Sequence, residues 1–139
     1  MSRRSEQRRA AVFALYQQDL TGRPLEAVFE RDAAPFTKAL AHATEDNRSE
    51  LDELISRHSQ GWRLDRIAPL ERAILRTALL EMLHPDTVDG ESPIPREGAI
   101  DEAVESAKRF CGAQAPGFVN GVLGAVLAEL EPQAGGGRA

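Results

Sequence analysis

The sequence predicts an all-α fold, and three observations carry that expectation. Apolar residues recur at three- and four-residue spacing through most of the 139 residues, the signature of helices with one buried stripe. No alternating apolar–polar run extends beyond a few residues, so strands are not expected. Prolines and glycines fall between the periodic stretches, where helices start and stop.

The first helix is expected from about Ser5 to Leu20. Val12, Phe13, Tyr16 and Leu20 form its stripe and Leu15 widens it; Arg4 and Arg8, one turn apart, point the same way. Thr21-Gly22-Arg23-Pro24 ends it. A short amphipathic piece runs from Leu25 to about Arg31, and Pro35 suits the first turn of the next helix. Phe36, Leu40, Ala43, Asn47, Leu51, Leu54 and His58 keep the rhythm to Gly61, as one long helix or as two broken near Asp46-Asn47.

A turn of helix at Leu64–Ile67 precedes LERAILRTALLEML, started by Pro69. That segment is apolar nearly all round, which marks a central helix, with Glu71, Arg72 and Arg76 as its exposed stripe. Residues 84–98 are rich in turn formers and read as a long loop. In AIDEAVESAKRFC, Ile100, Ala103, Val104, Ala107 and Cys111 face inward. Pro116 opens the last helix, where Val119, Val122, Leu123, Val126 and Leu130 share a face and Gly121 and Gly124 lie opposite. Glycines inside a helix cost roughly 0.5–1 kcal/mol each relative to alanine. The expected return is close packing of this helix against the arginine-bearing first one, with Asn120 hydrogen-bonded internally. Residues 1–131 are expected to form one domain and 132–139 a disordered tail.

Composition excludes several function classes. No apolar run reaches the roughly 20 residues of a membrane span, the start lacks the features of a signal peptide, and the single Cys111 rules out an internal disulfide framework. The cytoplasm is the expected location, with no membrane partner. His42, His58 and His84 are scattered, and no CxxC, HExxH, GxSxG or phosphate-cradling glycine motif occurs. No catalytic residue, metal or cofactor is expected, and the protein reads as a binder. The chain carries −5 overall, yet Arg3, Arg4, Arg8 and Arg9 against Glu6 give residues 1–9 a charge of +3. That segregation attracts a polyanion at one end of an acidic body.

Three stretches taken together resemble the NusB family of transcription antitermination factors: the arginine-rich opening that ends in ALY (Arg8 to Tyr16), LERAILRTALLEML, and AIDEAVESAKRFCG followed by GFVNGVLG. The resemblance spans nearly the whole chain. It implies about seven helices in two small subdomains. It also implies binding of the single-stranded boxA element of ribosomal RNA leader transcripts together with the ribosomal protein NusE, and contact with the RNA polymerase elongation complex through other Nus factors. By resemblance, Arg4, Arg8, Tyr16, Glu71 and Phe118 belong to the RNA or partner surfaces. The residues themselves supply a matching chemistry, since arginines hold phosphates and rings stack on unpaired bases. Arg3, Arg4, Arg8, Tyr16 and Phe118 are the candidate RNA contacts and Glu71 the candidate partner contact. Two other readings compete: a homodimeric helical scaffold with weak RNA binding, and a detached RNA-binding module of a ribosomal RNA methyltransferase. The chain departs from the family pattern in AQAPG before FVNGVL, at Glu97, and at Gly124.

Overall fold

The computed structural model describes residues 3–88 and 93–131. The expected tail, 132–139, and the middle of the 84–98 loop lie outside the described residues. Within them there are seven α-helices and no strand: α1 (Arg3–Thr21), α2 (Leu25–Val28), α3 (Pro35–Asp46), α4 (Arg48–His58), α5 (Pro69–Leu83), α6 (Arg96–Phe110) and α7 (Ala115–Leu130), with 3-10 turns at Leu64–Arg66 and Pro85–Thr87.

Local chemistry sets the boundaries. Gly22 takes φ of 74° to close α1, a left-handed conformation that glycine adopts without strain. Prolines open α3 and α5 at the first turn, where the missing N–H has no helical partner to lose. Asn47 divides the long rhythmic stretch into two helices. Its backbone leaves the helical region (φ −108°, ψ 17°), and its side-chain amide donates to the Ala43 carbonyl at 2.8 Å. α6 starts at Arg96, somewhat earlier than the apolar rhythm alone predicts.

α5 is the axis of the molecule. It packs against α1 and α3 on one side and against α4, α6 and α7 on the other, so two helical groups share it. Leu75, Leu79 and Leu80 are completely enclosed; burying a leucine side chain contributes about 1.5–3 kcal/mol. α1 runs antiparallel to α5, because Arg8 pairs with Glu81 and Asp19 with Arg72. It runs parallel to α6, because Ser5 bonds Glu102 and Phe13 touches Phe110.

Three expectations need correcting. The polar stripe of α5 is not exposed: Arg76 is only 6% accessible, and Arg72 is largely covered. The buried side of α1 is made by Ala11, Val12, Ala14 and Leu15, while Phe13 and Tyr16 are half-buried and Leu20 is 56% exposed. α7 packs on α6, α5 and α4 rather than on α1. Gly121 and Gly124 sit on its solvent side with nothing within 4 Å of a built Cβ, and Asn120 is exposed beside them. These glycines therefore admit no close neighbour, and Asn120 has no internal role. The large apolar side of α7, from Val119 to Val126, is buried as expected.

Candidate nucleic-acid interface

The arginines at the start of α1 have divergent surroundings. Arg8 is drawn inward: its Nε donates to both carboxylate oxygens of Glu81, at 2.9 and 3.1 Å, and little of either side chain reaches solvent. Burial pushes the Glu81 carboxyl up; the hydrogen bond and charge of Arg8 work against that rise, and nearby Glu102 adds to it. Arg9 is buried as well. Arg3 is exposed and Arg4 partly so. The sequence's +3 patch thus presents itself mainly through Arg3 and Arg4.

Arg4 and Arg8 do point the same way. Both guanidinium groups sit over the ring of Phe36 at the start of α3, with Cζ at 4.0 Å and 5.4 Å from its centroid, within cation–π range. Arg4 also donates to Gln7 at 3.0 Å. The sequence places Phe36 only in the core stripe of α3, and no local pattern marks it otherwise. Its role comes from the α1–α3 packing that brings distant residues together.

Tyr16, Phe118 and Glu71 belong to a second group. Arg4 and Tyr16 are twelve positions apart on one helix, roughly 18 Å along its axis. Tyr16 is half-buried, edge-on to Phe13 at 6.4 Å, and Phe13 in turn meets Phe110 at 5.0 Å. Phe118, half-buried against the core, lies in the first turn of α7, which follows α6 after a short connection. Glu71 opens α5 at the same end. Burial raises its carboxyl, and its charge adds to the burial that raises the Cys111 thiol. The arginines therefore gather at one level of the bundle. Tyr16, Glu71 and Phe118 gather at the other, with neither ring fully enclosed.

The three histidines are in structural pairs. His42, His58 and His84 each bond a glutamate of another element, Glu26, Glu129 and Glu50, at 2.7 Å. Among the described residues no group of three metal-binding side chains occurs, and no helix is long and apolar enough to cross a membrane.

Fold and surface together define a class: an all-helical bundle around one enclosed central helix, with two arginines, Arg3 and Arg4, reaching the surface at the start of the first. The comparisons make this specific. The NusB family model matches residues 5–128. The transcription antitermination protein NusB of Rubrobacter xylanophilus is 41% identical over 129 residues, covering 88% of each chain. Among solved structures, NusB of T. maritima superposes with a TM-score of 0.78 at 31% identity, over 92% of both chains. A complex of antitermination factors NusB and NusE with double-stranded RNA superposes at 0.75 and 26% identity, covering 93% of this chain and 99% of that one. The chain belongs to the NusB family.

Proposed function

We propose that this protein is an RNA-binding transcription antitermination factor of the cytoplasm rather than an enzyme. It engages the boxA element of ribosomal RNA leader transcripts jointly with NusE and so keeps RNA polymerase elongating through other Nus factors. The observation that carries this reading is the outward placement of Arg3 and Arg4 on a chain of net charge −5. An acidic body disfavours RNA as a sole ligand, so a basic protein partner that shares the RNA completes the site. Family membership supplies the partner: a solved NusB relative is held with NusE and RNA.

Within this reading Arg3 and Arg4 meet phosphates. Arg8 is held by Glu81 and sets the position of its neighbours rather than reaching the backbone of the RNA. Tyr16 and Phe118 supply half-exposed rings at the other end for splayed bases, and Glu71 faces the protein partner. A second reading, a homodimer, has one observation in its favour: Leu20 and Phe110 expose 56% and 41% of their surface, with Phe110 against Phe13.

The test measures affinity for a boxA-like oligoribonucleotide with and without NusE, at two salt concentrations. Tight binding only in the partner's presence is the expected result. Arg4→Ala should weaken it about tenfold across RNA sequences and lower the salt slope by about 1. A concentration-independent dimer that gains no RNA affinity from NusE would instead support the scaffold.

A further inference from the structure

A groove of about 520 Å³ runs along α1, against the end of α2 and the segment that joins α2 to α3. Much of its lining is small and apolar: Ala10 and Ala14 from α1, Ala33 and Ala34 from the joining segment. Two rings line it as well. Phe13 of α1 is backed by Phe110 at 5.0 Å. Phe29, just past α2, meets the His42 ring at 5.6 Å and packs against the core. Thr37 donates to the Gln7 carbonyl at 3.0 Å and so ties α3 to α1 beside the groove. These supports hold both walls in place before anything binds.

The charge of the lining is one-sided. It includes Glu6, Glu30 and Asp32, all exposed, and no cation among the described residues. Arg31, between the last two in sequence, is not part of it. None of the three carboxylates is in an ion pair with a described residue, whereas Asp19, Asp52, Glu81 and Glu129 all meet arginines. Unpaired acids around an apolar trough repel RNA phosphates and attract a cationic partner. The groove's length narrows the choice. Glu6 to Gln17 covers roughly 17 Å of α1, about three helical turns. That suits a helix laid in a groove, with apolar anchors at i, i+3, i+4 and i+7.

We infer that this groove is a docking site for a protein segment. The segment is a basic amphipathic helix whose apolar side lies on Ala10, Ala33 and Phe29 and whose lysines or arginines meet Glu6, Glu30 and Asp32. The alanines let its backbone come close, and the acids fix its orientation. The inference does not rest on RNA binding, and it adds a protein contact apart from the one assigned to Glu71.

The experiment follows the backbone amide signals of the full chain as a leucine–lysine peptide is added. The peptide has about fourteen residues, enough to fill the groove as a helix, with its leucines at i, i+3, i+4 and i+7. Saturable shifts centred on Ala10, Phe13, Val28 and Ala33 are expected. The same peptide with glutamate for lysine should not bind. The same composition with leucines distributed around the helix should bind at least about tenfold more weakly. Ala10→Arg places a long cation in the lining at an exposed helical position. Like charges then face each other, so it should weaken binding at least about tenfold, and Glu30→Lys about fivefold. Glu105→Lys makes the same change of net charge as Glu30→Lys, at an exposed position of α6. Salt screens such a charge, so affinity should stay within about twofold of wild type. Shifts centred on another face, or equal affinity for either control peptide, overturn the docking site. Wild-type affinity in Ala10→Arg overturns it too, as does an equal loss in Glu105→Lys and Glu30→Lys. None of these outcomes touches the RNA reading, which Arg4→Ala tests separately.

Discussion

Two arginine clusters sit at opposite ends of α1, in different surroundings. At its C-terminal end, Asp19 accepts from Arg72 and Arg48, each at 3.0 Å. Arg76 meets Asp52 at 2.6 and 3.2 Å and lies 3.6 Å from Asp19. Arg72 also donates to the Ile67 carbonyl at 2.8 Å, which ties down the chain entering α5. Every arginine there faces an acid from a different helix. At the N-terminal end Arg4 rests on the Phe36 ring, and the described residues lining the cleft beside it include no acid. The same side chain is therefore set among carboxylates at one end of α1 and over an aromatic ring at the other. What decides is the partner, not the count of positive charges.

Five single substitutions break or sharpen this contrast, in decreasing order of expected effect. Arg76→Ala removes a buried guanidinium and takes from the largely covered Asp52 both of its hydrogen bonds, and should cost about 3–5 kcal/mol in denaturant unfolding, while RNA affinity of the folded fraction stays at the wild-type level. Asp19→Asn should cost about 2–3 kcal/mol at neutral pH, the scale of hydrogen bonds to a charged group.

Asp19 also predicts a pH dependence. Burial alone would raise its carboxyl, but the bonds and charges of Arg72, Arg48 and Arg76 outweigh that and hold it below its ordinary value of 3.8. A carboxylate lowered in the folded state contributes stability above its unfolded pKa and loses it as pH falls through the folded one. Asp19→Asn should therefore flatten the acid limb of a stability–pH curve below about pH 5.

Arg8→Ala sharpens the comparison, because Arg8 stands between the two behaviours. It should cost about 1–3 kcal/mol by leaving Glu81 buried and charged. Burial already raises Glu81, so this loss should shrink as pH falls and Glu81 takes up a proton. The Arg8→Ala, Glu81→Gln double variant should recover much of it. At the small end, Gly121→Ala or Gly124→Ala should raise stability by about 0.5–1 kcal/mol each, since the added methyl meets open solvent. A loss of stability there would show that the outer side of α7 is covered after all.

Much of the fold was legible in the sequence, and the failures share one cause. Helix positions, the prolines that open α3 and α5 and the central place of α5 all follow from local periodicity and capping, while the sequence left a break near Asp46-Asn47 as one of two alternatives. Periodicity reports whether a residue is polar, not what faces it. Arg72 and Arg76 read as a solvated stripe because the acids that neutralise them, Asp19 and Asp52, are supplied by other helices. Phe13, Tyr16 and Leu20 read as core because they are large. The actual core of α1 uses Ala11 and Ala14, which let neighbouring helices approach. The candidate site was legible in its arginines but not in their separation from Tyr16 and Phe118 along the bundle, nor in Phe36, whose contact with Arg4 exists only after α3 folds back on α1.

The enclosure of α5 on every side has a consequence for how the molecule comes apart. Neither group of helices has an independent interior, because each lends the other half of the wall around Leu75, Leu79 and Leu80. Separating them would wet those leucines from both directions at once, so heat or denaturant should dismantle the bundle in a single cooperative step. Its most slowly exchanging amide protons should then lie along this one helix.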